Sequence, residues 1–241
     1  PGPEPAIVEV RRDDRAGHSQ TGGDQLAREI LHAVRHGTDA EDHHHAALAQ
    51  LARSAGHSVC IGQRNAAQRE DGVPVLPMAA ACAQADLVII AIPFTACAEA
   101  LPALNAVLAG KTVVDATNPL QADWSPLLLG AHDSAAQQIA ALLPAARVVK
   151  AFNTVFADVM NPHGQLRAGG SRITVFVASD DTSAADLVAA LASDLGFATQ
   201  RVGALAHARF LEAMAHLNIA IAVGQGGGTN AAFIYDQASA K

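Results

Sequence analysis

The chain has 241 residues, half of them hydrophobic and only 16% charged, so it can build a large apolar core and does not have the composition of a disordered protein. Its formal net charge of -7 and pI near 5.8 argue against the clustered basic surface of a nucleic-acid-binding protein. Aromatic residues make up only 4%, and the abundant Ala, Val, Leu and Ile favour buried parallel strands under Ala-rich helices over an all-β sandwich.

The cysteines and the hydropathy pattern bear on the compartment. Cys60, Cys82 and Cys97 are odd in number, lack metal-ligand spacing and lie in apolar surroundings, so we expect small buried side chains in a reducing cytoplasm. No apolar run reaches the roughly 18 residues that a membrane span needs, and no signal peptide opens the chain. We therefore expect a cytoplasmic protein without membrane or nucleic-acid partners.

The first 45 residues form an atypical segment. Residues 1–25 are rich in Pro, Gly and charge and contain one short β-like run, Ala6 to Val10. Apolar residues at helical spacing follow over residues 26–36, and Gly37 provides a suitable helix C-cap.

From Ala46 onward, helical and strand-like patterns alternate. A helix over 46–55 precedes an apolar run at 58–62, and further strand-like runs follow at 85–94, 111–120, 147–156, 173–181 and 198–203, with helical segments between them. This alternation predicts βαβ units, and hence an α/β fold with a doubly wound, mostly parallel sheet.

The last predicted helix, about His207 to Val223, is apolar on nearly every side. Such a helix is normally buried all round, which in a chain of this size predicts a subunit interface. The alternative is a helix buried within its own domain.

Ligands of open α/β sheets bind beyond the carboxyl ends of the strands, so the residues that follow each apolar run are candidates for a site. Gln63, Arg64 and Asn65 follow the run at 58–62. An Arg at this position accommodates the 2′-phosphate of NADP, whereas NAD-preferring folds place Asp or Glu here. The sequence therefore favours NADP, the alternative being a solvated Arg at a turn.

Prolines end two of the later runs. Pro93 follows Ala91 and Ile92, and it is expected to stop the strand and present the Phe94 ring to the crevice. Asn118 and Pro119 similarly end the run at 111–120.

The run at 147–156 brings polar groups to the same edge. Lys150, Ala151, Phe152, Asn153 and Thr154 follow its apolar start, and an Asn or Lys here could hydrogen-bond a ribose, a nicotinamide or a substrate carbonyl. The alternative is that Asp115 and Lys150 form a structural pair on neighbouring strands.

Several blocks together resemble one family. The segments "GHSVCIGQRN", "VVDATNPL", "VVKAFNTVF" and "FLEAMAHLNIAIAVGQGGGTNAAFIY" are similar to the coenzyme F420-dependent NADP oxidoreductases, in order, over about Ala46 to Tyr235. The resemblance implies a Rossmann domain with NADP across the strand ends. It also implies a dimer built on the C-terminal helix, and hydride transfer between nicotinamide and a deazaflavin or flavin-like partner.

The resemblance also implies roles for individual positions. Gln63 with Arg64 matches the 2′-phosphate site, where relatives usually have Ser-Arg. The turn over the ribose and pyrophosphate is matched by Ala91, Ile92 and Pro93, and the wall near the nicotinamide by Ala151, Phe152 and Asn153. The glycine-rich segment Gly224 to Asn230, which includes Thr229, matches the part that closes the site, its alternative being a flexible helix C-cap and tail.

The chain departs from the family at the glycine-rich turn before the first helix. Counting back from Ala46 puts Ala40, Asp42 and His45 at the three glycine positions, where side chains obstruct the approach to a pyrophosphate and Glu41 and Asp42 repel it.

Three adjacent histidines, at 43–45, stand in the same segment. Adjacent helical residues point in different directions, so these histidines are better explained as a solvated helix start, capped by Thr38 or Asp39, than as a metal site.

Two accounts of the N-terminus stay open. Either Ala6 to Val10 supplies the first strand and residues 21–25, "TGGDQ", a rudimentary turn, or strand and turn have been lost and NADP binds weakly or not at all. We accordingly divide the chain into an atypical segment (1–45), a Rossmann NADP-binding domain (46–205) and a C-terminal dimerisation helix with a glycine-rich tail (206–241).

The sequence thus predicts an NADP-dependent oxidoreductase that passes hydride to coenzyme F420 or a flavin-like acceptor by positioning two rings, without an obligatory acid, base or metal. A flavin, quinone or metal chelate in place of the deazaflavin is a variant of this hypothesis. The competing hypothesis is a non-catalytic, dimeric Rossmann scaffold. Such a protein would have lost its affinity for the cofactor, or its N-terminus would be an annotation or gene-level artefact.

Overall fold

The computed structural model describes residues 6–11, 39–63, 73–161 and 165–237. Within these ranges eight strands form a single sheet in the order β3-β2-β1-β4-β5-β6-β7-β8. The strands are β1 (Ala6–Arg11), β2 (Ser58–Gln63), β3 (Val75–Pro77), β4 (Leu87–Ile90), β5 (Thr112–Asp115), β6 (Arg147–Lys150), β7 (Thr174–Ala178) and β8 (Ala198–Gly203).

Seven α-helices connect and cover the strands in the described ranges. They are α1 (Asp39–Ser54), α2 (Met78–Gln84), α3 (Phe94–Ala100), α4 (Asn105–Leu108), α5 (Ala135–Leu142), α6 (Thr182–Asp194) and α7 (Ala208–Ile219), the last continuing as a π-helical turn, Ala220–Gly224. Asp181 caps α6 and Ser134 caps α5, each by accepting a backbone N–H of the first turn.

The two faces of the sheet have separate apolar cores because successive strand residues point to opposite faces. Leu87 and Ile89 pack with α1 and α6 on one face, whereas Val88 and Ile90 pack with α2 to α5 on the other. The predicted Rossmann-like, doubly wound α/β fold is therefore confirmed.

Most neighbouring strands of the sheet on either side of β1 pair in parallel. Strands β2 and β3, and β4, β5 and β6, pair in parallel, whereas β7 runs antiparallel to β6 and parallel to β8. The carboxyl ends of β4, β5 and β6 consequently meet at one edge of the sheet, where ligands bind in this class of fold.

Strand β1 lies in the position of a first Rossmann strand but runs in the reverse direction. It pairs antiparallel with both neighbours, with Ala6 opposite Gln63 and Arg11 opposite Ser58. The carboxyl end of β1 therefore lies at the sheet edge opposite the carboxyl ends of β2 and β4. Of the two accounts of the N-terminus, the first is right about the position of the strand, and the "TGGDQ" turn lies outside the described residues.

Boundaries differ from the sequence predictions in a few places. Helix α1 begins at Asp39 rather than Ala46, so it includes the three histidines, and Pro102 breaks the helical segment after β4 into α3, a 3-10 turn and α4. The short elements β3 and α2 were not predicted, and the helix predicted over 26–36 lies outside the described residues.

Helix α7 is buried on one face only. Leu211, Ala215 and Ala222 are buried, whereas Phe210 is 53% and Leu217 54% exposed. The helix is therefore only partly buried within its own domain, and the predicted subunit interface stays a prediction.

Two of the three cysteines have the expected environment, since Cys82 and Cys97 are fully buried and Cys60 is half-buried. Burial raises the pKa of the Cys97 thiol far above its ordinary value, and the carboxylate of Asp115 adds to this effect. None of the described helices has the length and apolar character needed to span a bilayer.

Candidate functional site

A cleft opens at the carboxyl ends of β4, β5 and β6 and is closed on one side by α7. The space within it, including the solvent at its open mouth, is about 690 Å³. Its walls are apolar and aromatic side chains interspersed with amides and hydroxyls: Ile92, Phe94, Ala116, Thr117, Asn118, Leu120, Trp124, Asn153, Thr154, Val155, Phe156, Ala157, Ala215, Asn218 and Ile219. Among the described residues that line it, none has a titratable side chain.

Short strands followed by sharp turns bring these residues to the cleft. Pro93 has an extended backbone directly before α3, as its missing N–H and fixed φ favour, and Phe94 then begins the helix and faces the cleft. Strand β5 ends at Asp115, and the loop after it carries Thr117 and Asn118 into the wall.

Two bulky residues in left-handed backbone conformations shape the cleft. Phe152 has φ +64° and Trp124 has φ +68°, and they are the non-glycine residues with positive φ in the described ranges. Such a conformation is strained for a large side chain and persists only where the surroundings enforce it. Phe152 is fully buried and packs edge-to-face on Phe197, so it anchors the turn that presents Asn153 and Thr154.

An interlocked pair of amides forms the floor of the cleft. Asn153 donates from Nδ2 to Asn118 Oδ1 (2.9 Å) and to the Leu211 carbonyl (3.0 Å), and Asn118 donates in return to the Asn153 carbonyl (2.8 Å). Asn153 Oδ1 and Thr117 Oγ1 are buried and have no hydrogen-bond partner within the described part of the chain.

A buried ionic cluster lies behind this floor. Lys150 donates to Asp115 Oδ2 (2.8 Å), Glu212 Oε1 (2.9 Å) and the Thr117 carbonyl (2.6 Å), which uses all three of its N–H groups. Burial lowers the pKa of Lys150, but the carboxylates of Asp115 and Glu212 outweigh burial and hold that pKa above its ordinary value.

Helix α7 contacts the site through several polar groups. Glu212 accepts the N–H groups of Ala135 (3.0 Å) and Ala136 (3.3 Å) at the start of α5. Asn218 donates to the Thr154 carbonyl, and His216 Nε2 lies 3.1 Å from the Pro119 carbonyl.

Four of the predicted site residues line the cleft, namely Ile92, Phe94, Asn118 and Asn153. Five others lie next to lining residues in the sequence but do not themselves line the cleft: Ala91, Pro93, Pro119, Ala151 and Phe152. Lys150 forms the structural pair with Asp115 that was the alternative to ligand binding.

The remaining predictions lie away from the cleft or outside the described residues. Arg64 and Asn65 fall outside, and Gln63 is the half-buried last residue of β2. Thr229 donates to Asp158, and Asn230 Oδ1 accepts from Arg167 (2.8 Å), so this part of the tail contacts the loop after β6.

Among the described residues, β1 and α1 do not have the arrangement found in a dinucleotide-binding turn. In such a turn, a parallel first strand leads directly through glycines into the first helix. Here β1 is reversed, and α1 begins at Asp39 with Glu41 and Asp42 in its first turn by sequence.

Sequence reasoning missed several residues of the cleft and of its support. Trp124 and Phe156 lie in irregular loops without a periodic pattern, and Glu212 and Asn218 lie in a helix interpreted mainly by its apolar residues. The signal that could have found the last two is a polar residue three positions before and another three positions after Ala215, since residues three apart lie on the same face of a helix. Within the described ranges, no cluster of three or more His, Cys, Asp and Glu side chains could hold a metal ion.

Comparison with known proteins identifies the fold and the family. A family model described as "NADP oxidoreductase coenzyme F420-dependent" matches residues 44–119. A crystal structure from Arthrobacter sp. FB24, of a candidate F420-dependent NADP reductase, is 30% identical with a TM-score of 0.72 and covers 83% of this chain and 97% of its own.

The chain belongs to the coenzyme F420-dependent NADP oxidoreductase family. The predictions of this family and of an oxidoreductase are therefore confirmed. A reductive aminase from Aspergillus terreus, solved with NADPH and ethyl levulinate, shares the fold alone, with 21% identity and a TM-score of 0.52 over 76% of this chain and 60% of its own.

A curated relative differs in length. Metalloreductase STEAP3 of Rattus norvegicus is 32% identical over 174 residues, which cover 69% of this chain. The chain spans only about a third of that relative's length, 33%.

Proposed function

We propose that this family member transfers hydride between NADP(H) and coenzyme F420 or a flavin-like ring bound in the cleft. The observation that carries the proposal is the absence of titratable side chains from the described cleft walls, combined with their aromatic and amide character. Hydride transfer between two conjugated rings needs close positioning but no protein acid or base.

The same observation bears on the class of acceptor. Reduction of a carbonyl or imine develops charge on an oxygen or nitrogen, and a positioned proton donor stabilises it. A deazaflavin or flavin ring delocalises that charge. The cleft therefore supports a conjugated ring acceptor over a carbonyl or imine substrate.

The residues that line the cleft, which we call the ring end of the site, fit a nicotinamide. Its carboxamide offers N–H donors and one carbonyl acceptor, and the lining residues Asn118, Thr154 and Asn218 carry amide and hydroxyl groups of the kind that pair with them. When bound, NADPH supplies the hydride. Phe94, Trp124 and Phe156 supply apolar walls that exclude water from the two rings.

We further propose that Arg64, with Gln63 and Asn65 beside it, binds the 2′-phosphate of NADP, and that Thr229 and Asn230 close the site. Position after β2 and the family resemblance support this assignment.

The test is an assay of NADPH oxidation with purified protein and a panel of acceptors: coenzyme F420, FMN, a quinone, a ferric chelate, and a ketone and an imine as controls. We expect turnover with the deazaflavin or flavin and none with the ketone or imine. Turnover confined to the ketone or imine would contradict the proposal, as would no turnover with any acceptor.

A second candidate, a cofactor-deficient scaffold, is favoured by the reversed direction of β1. Calorimetric titration with NADPH separates the two candidates, because a scaffold binds no NADPH even at millimolar concentration.

The protein is also proposed to act as a cytoplasmic homodimer built on residues 206–241, with 46–205 as its NADP-binding domain. Phe210, Met214, Leu217 and Ile221 are spaced by three or four residues along α7 and the π-helical turn after it. Phe210, Leu217 and Ile221 are more than a third exposed, and Met214 between them packs partly against the core. A stripe of this kind on the outer face of a helix supports docking of a second copy.

A further inference from the structure

We propose that Glu212 is a positioning residue: through Lys150 it fixes the distance between α7 and the loop after β5, and thereby the width of the cleft. The proposal rests on the proposed hydride transfer in that cleft. Glu212 itself does not line the cleft, so it would act on the reaction only through the groups it holds.

The contacts of Glu212 join three separate elements. Its carboxylate accepts from Lys150 at the end of β6 (2.9 Å) and from the N–H groups of Ala135 and Ala136 at the start of α5. Because α7 carries the carboxylate, this one group fixes the helix against both the sheet and α5.

Lys150 extends the connection to the cleft wall. Its ammonium group donates to the carbonyl of Thr117, and Asp115 Oδ1 accepts the N–H of the same residue (2.8 Å). The backbone of Thr117 is thus held on both sides by the ionic cluster, while its side chain lines the cleft.

Two sets of residues that line the cleft belong to the elements joined in this way. Thr117 and Asn118 come from the loop after β5, whereas Ala215, Asn218 and Ile219 come from α7. A change in the length of the Glu212–Lys150 connection would change the separation of these two walls without removing any atom from either.

The energetics of buried ions support a geometric role over a stabilising one. Lys150 and Asp115 are fully buried and Glu212 is 4% exposed, so all three groups have lost their hydration. The attraction between buried ions is largely offset by this desolvation, and apolar replacements of a whole buried cluster are often no less stable. What the ions provide that apolar side chains do not is a fixed set of distances.

The primary test is Glu212→Gln, which keeps the size of the side chain and removes its charge. We expect kcat for NADPH oxidation to fall about tenfold or more while KM for NADPH changes much less, because misplacing reacting rings lowers the rate more than it lowers binding. The matched control is Asp186→Asn, which neutralises the carboxylate of the exposed Arg201–Asp186 pair and should leave kcat unchanged.

A triple variant separates positioning from stability. Lys150→Met, Asp115→Asn and Glu212→Gln together remove every charge of the cluster and leave no unpaired buried ion. We expect its melting temperature to exceed that of Lys150→Met alone, while kcat stays as low as in Glu212→Gln. If kcat recovers together with the melting temperature, the role of Glu212 is structural and the proposal fails.

Trp124, the chain's single tryptophan, gives a readout that does not need activity. It lines the cleft, so acrylamide should quench its fluorescence more strongly in Glu212→Gln than in the unsubstituted protein or in Asp186→Asn. Equal quenching in all three would overturn the proposal. If the unsubstituted protein oxidises no NADPH, the proposed function fails on its own, and this measurement still decides the role of Glu212.

Discussion

The two ends of the candidate site differ in how completely they are built. At the ring end, parallel strands, an amide pair and a buried ionic cluster hold the loops that line the cleft after β5 and β6. At the expected pyrophosphate end, the described strand β1 occupies the position of the first strand but runs the other way, so its carboxyl end lies at the opposite sheet edge. The comparison shows that a strand can fill its place in a Rossmann sheet while its carboxyl end points away from the ligand-binding edge.

The ring end is expected to depend most on Phe152, whose left-handed backbone and buried ring hold the turn after β6. Phe152→Ala should lower the free energy of unfolding by about 3–5 kcal/mol, since it leaves a cavity in the core. Urea denaturation measures this change. The control Phe210→Ala removes a half-exposed ring of the same size and should lower the free energy of unfolding far less. Equal decreases in the two variants would contradict the assignment of Phe152 as the anchor.

The difference between the two ends should disappear if a parallel first strand and a glycine-rich turn are supplied. Replacing residues 1–45 with a parallel strand and a glycine-rich turn should strengthen NADPH binding about 100-fold, because two new charge-assisted hydrogen bonds to phosphate contribute about 1.5 kcal/mol each. Calorimetry measures the affinity. The same replacement with Asp at the second glycine should give no gain, and a gain of the same size there would show that the turn is not the missing part.

One face of helix α7 contributes residues to the wall of the cleft, and another face bears the exposed apolar stripe. Leu217→Glu places a charge in the stripe and should weaken self-association about tenfold or more, as loss of a central apolar contact does in protein interfaces. Light scattering after gel filtration measures the mass. Leu166→Glu alters an exposed leucine elsewhere and is the control. A Leu217→Glu protein that remains a dimer would place the interface on another surface.

The smallest expected effect concerns acid stability near the start of β2. Burial lowers the pKa of His57 below 6.5, and the attraction of Asp194 only partly opposes this. The unfolded chain therefore binds a proton more readily than the folded one. The stability that neutral His57 contributes to the folded protein is complete above pH 6.5. It is lost as the pH falls through the lowered pKa that His57 has in the folded state.

His57→Gln should accordingly reduce the loss of stability below pH 6.5, measured as the urea midpoint at a series of pH values. His132→Gln changes an exposed histidine and serves as the control. An unchanged pH dependence in His57→Gln would show that its burial does not control this titration.

Much of the fold could be predicted because buried parallel strands have a direct sequence signature. Leu87–Ile90 is a continuous apolar segment and Thr112–Asp115 has two valines at its centre, helical segments separate such runs, and the structure places a strand in each. The direction of β1 could not be predicted, because the alternation of side chains along a strand is the same in both directions.

The site was predictable where a residue directly follows a strand, as for Ile92, Asn118 and Asn153. Contacts of the site between residues far apart in the sequence could not be predicted. Glu212 reaches Lys150 across 62 positions of sequence, and that meeting depends on how α7 packs, which no local pattern specifies. The place of Arg64 in the site stays a prediction.

The central claim, a proposal, is that the described cleft binds the nicotinamide end of the cofactor, whereas β1, whose carboxyl end lies at the opposite sheet edge, adds nothing to the binding of the pyrophosphate. Calorimetric titration of the protein with reduced nicotinamide mononucleotide and with NADH, which lacks the 2′-phosphate assigned to Arg64, tests it most directly. The account predicts that the mononucleotide binds and that NADH binds within about tenfold of it, a difference of about 1.4 kcal/mol. NADH binding a hundredfold or more tighter than the mononucleotide would contradict the account, as would no binding of the mononucleotide.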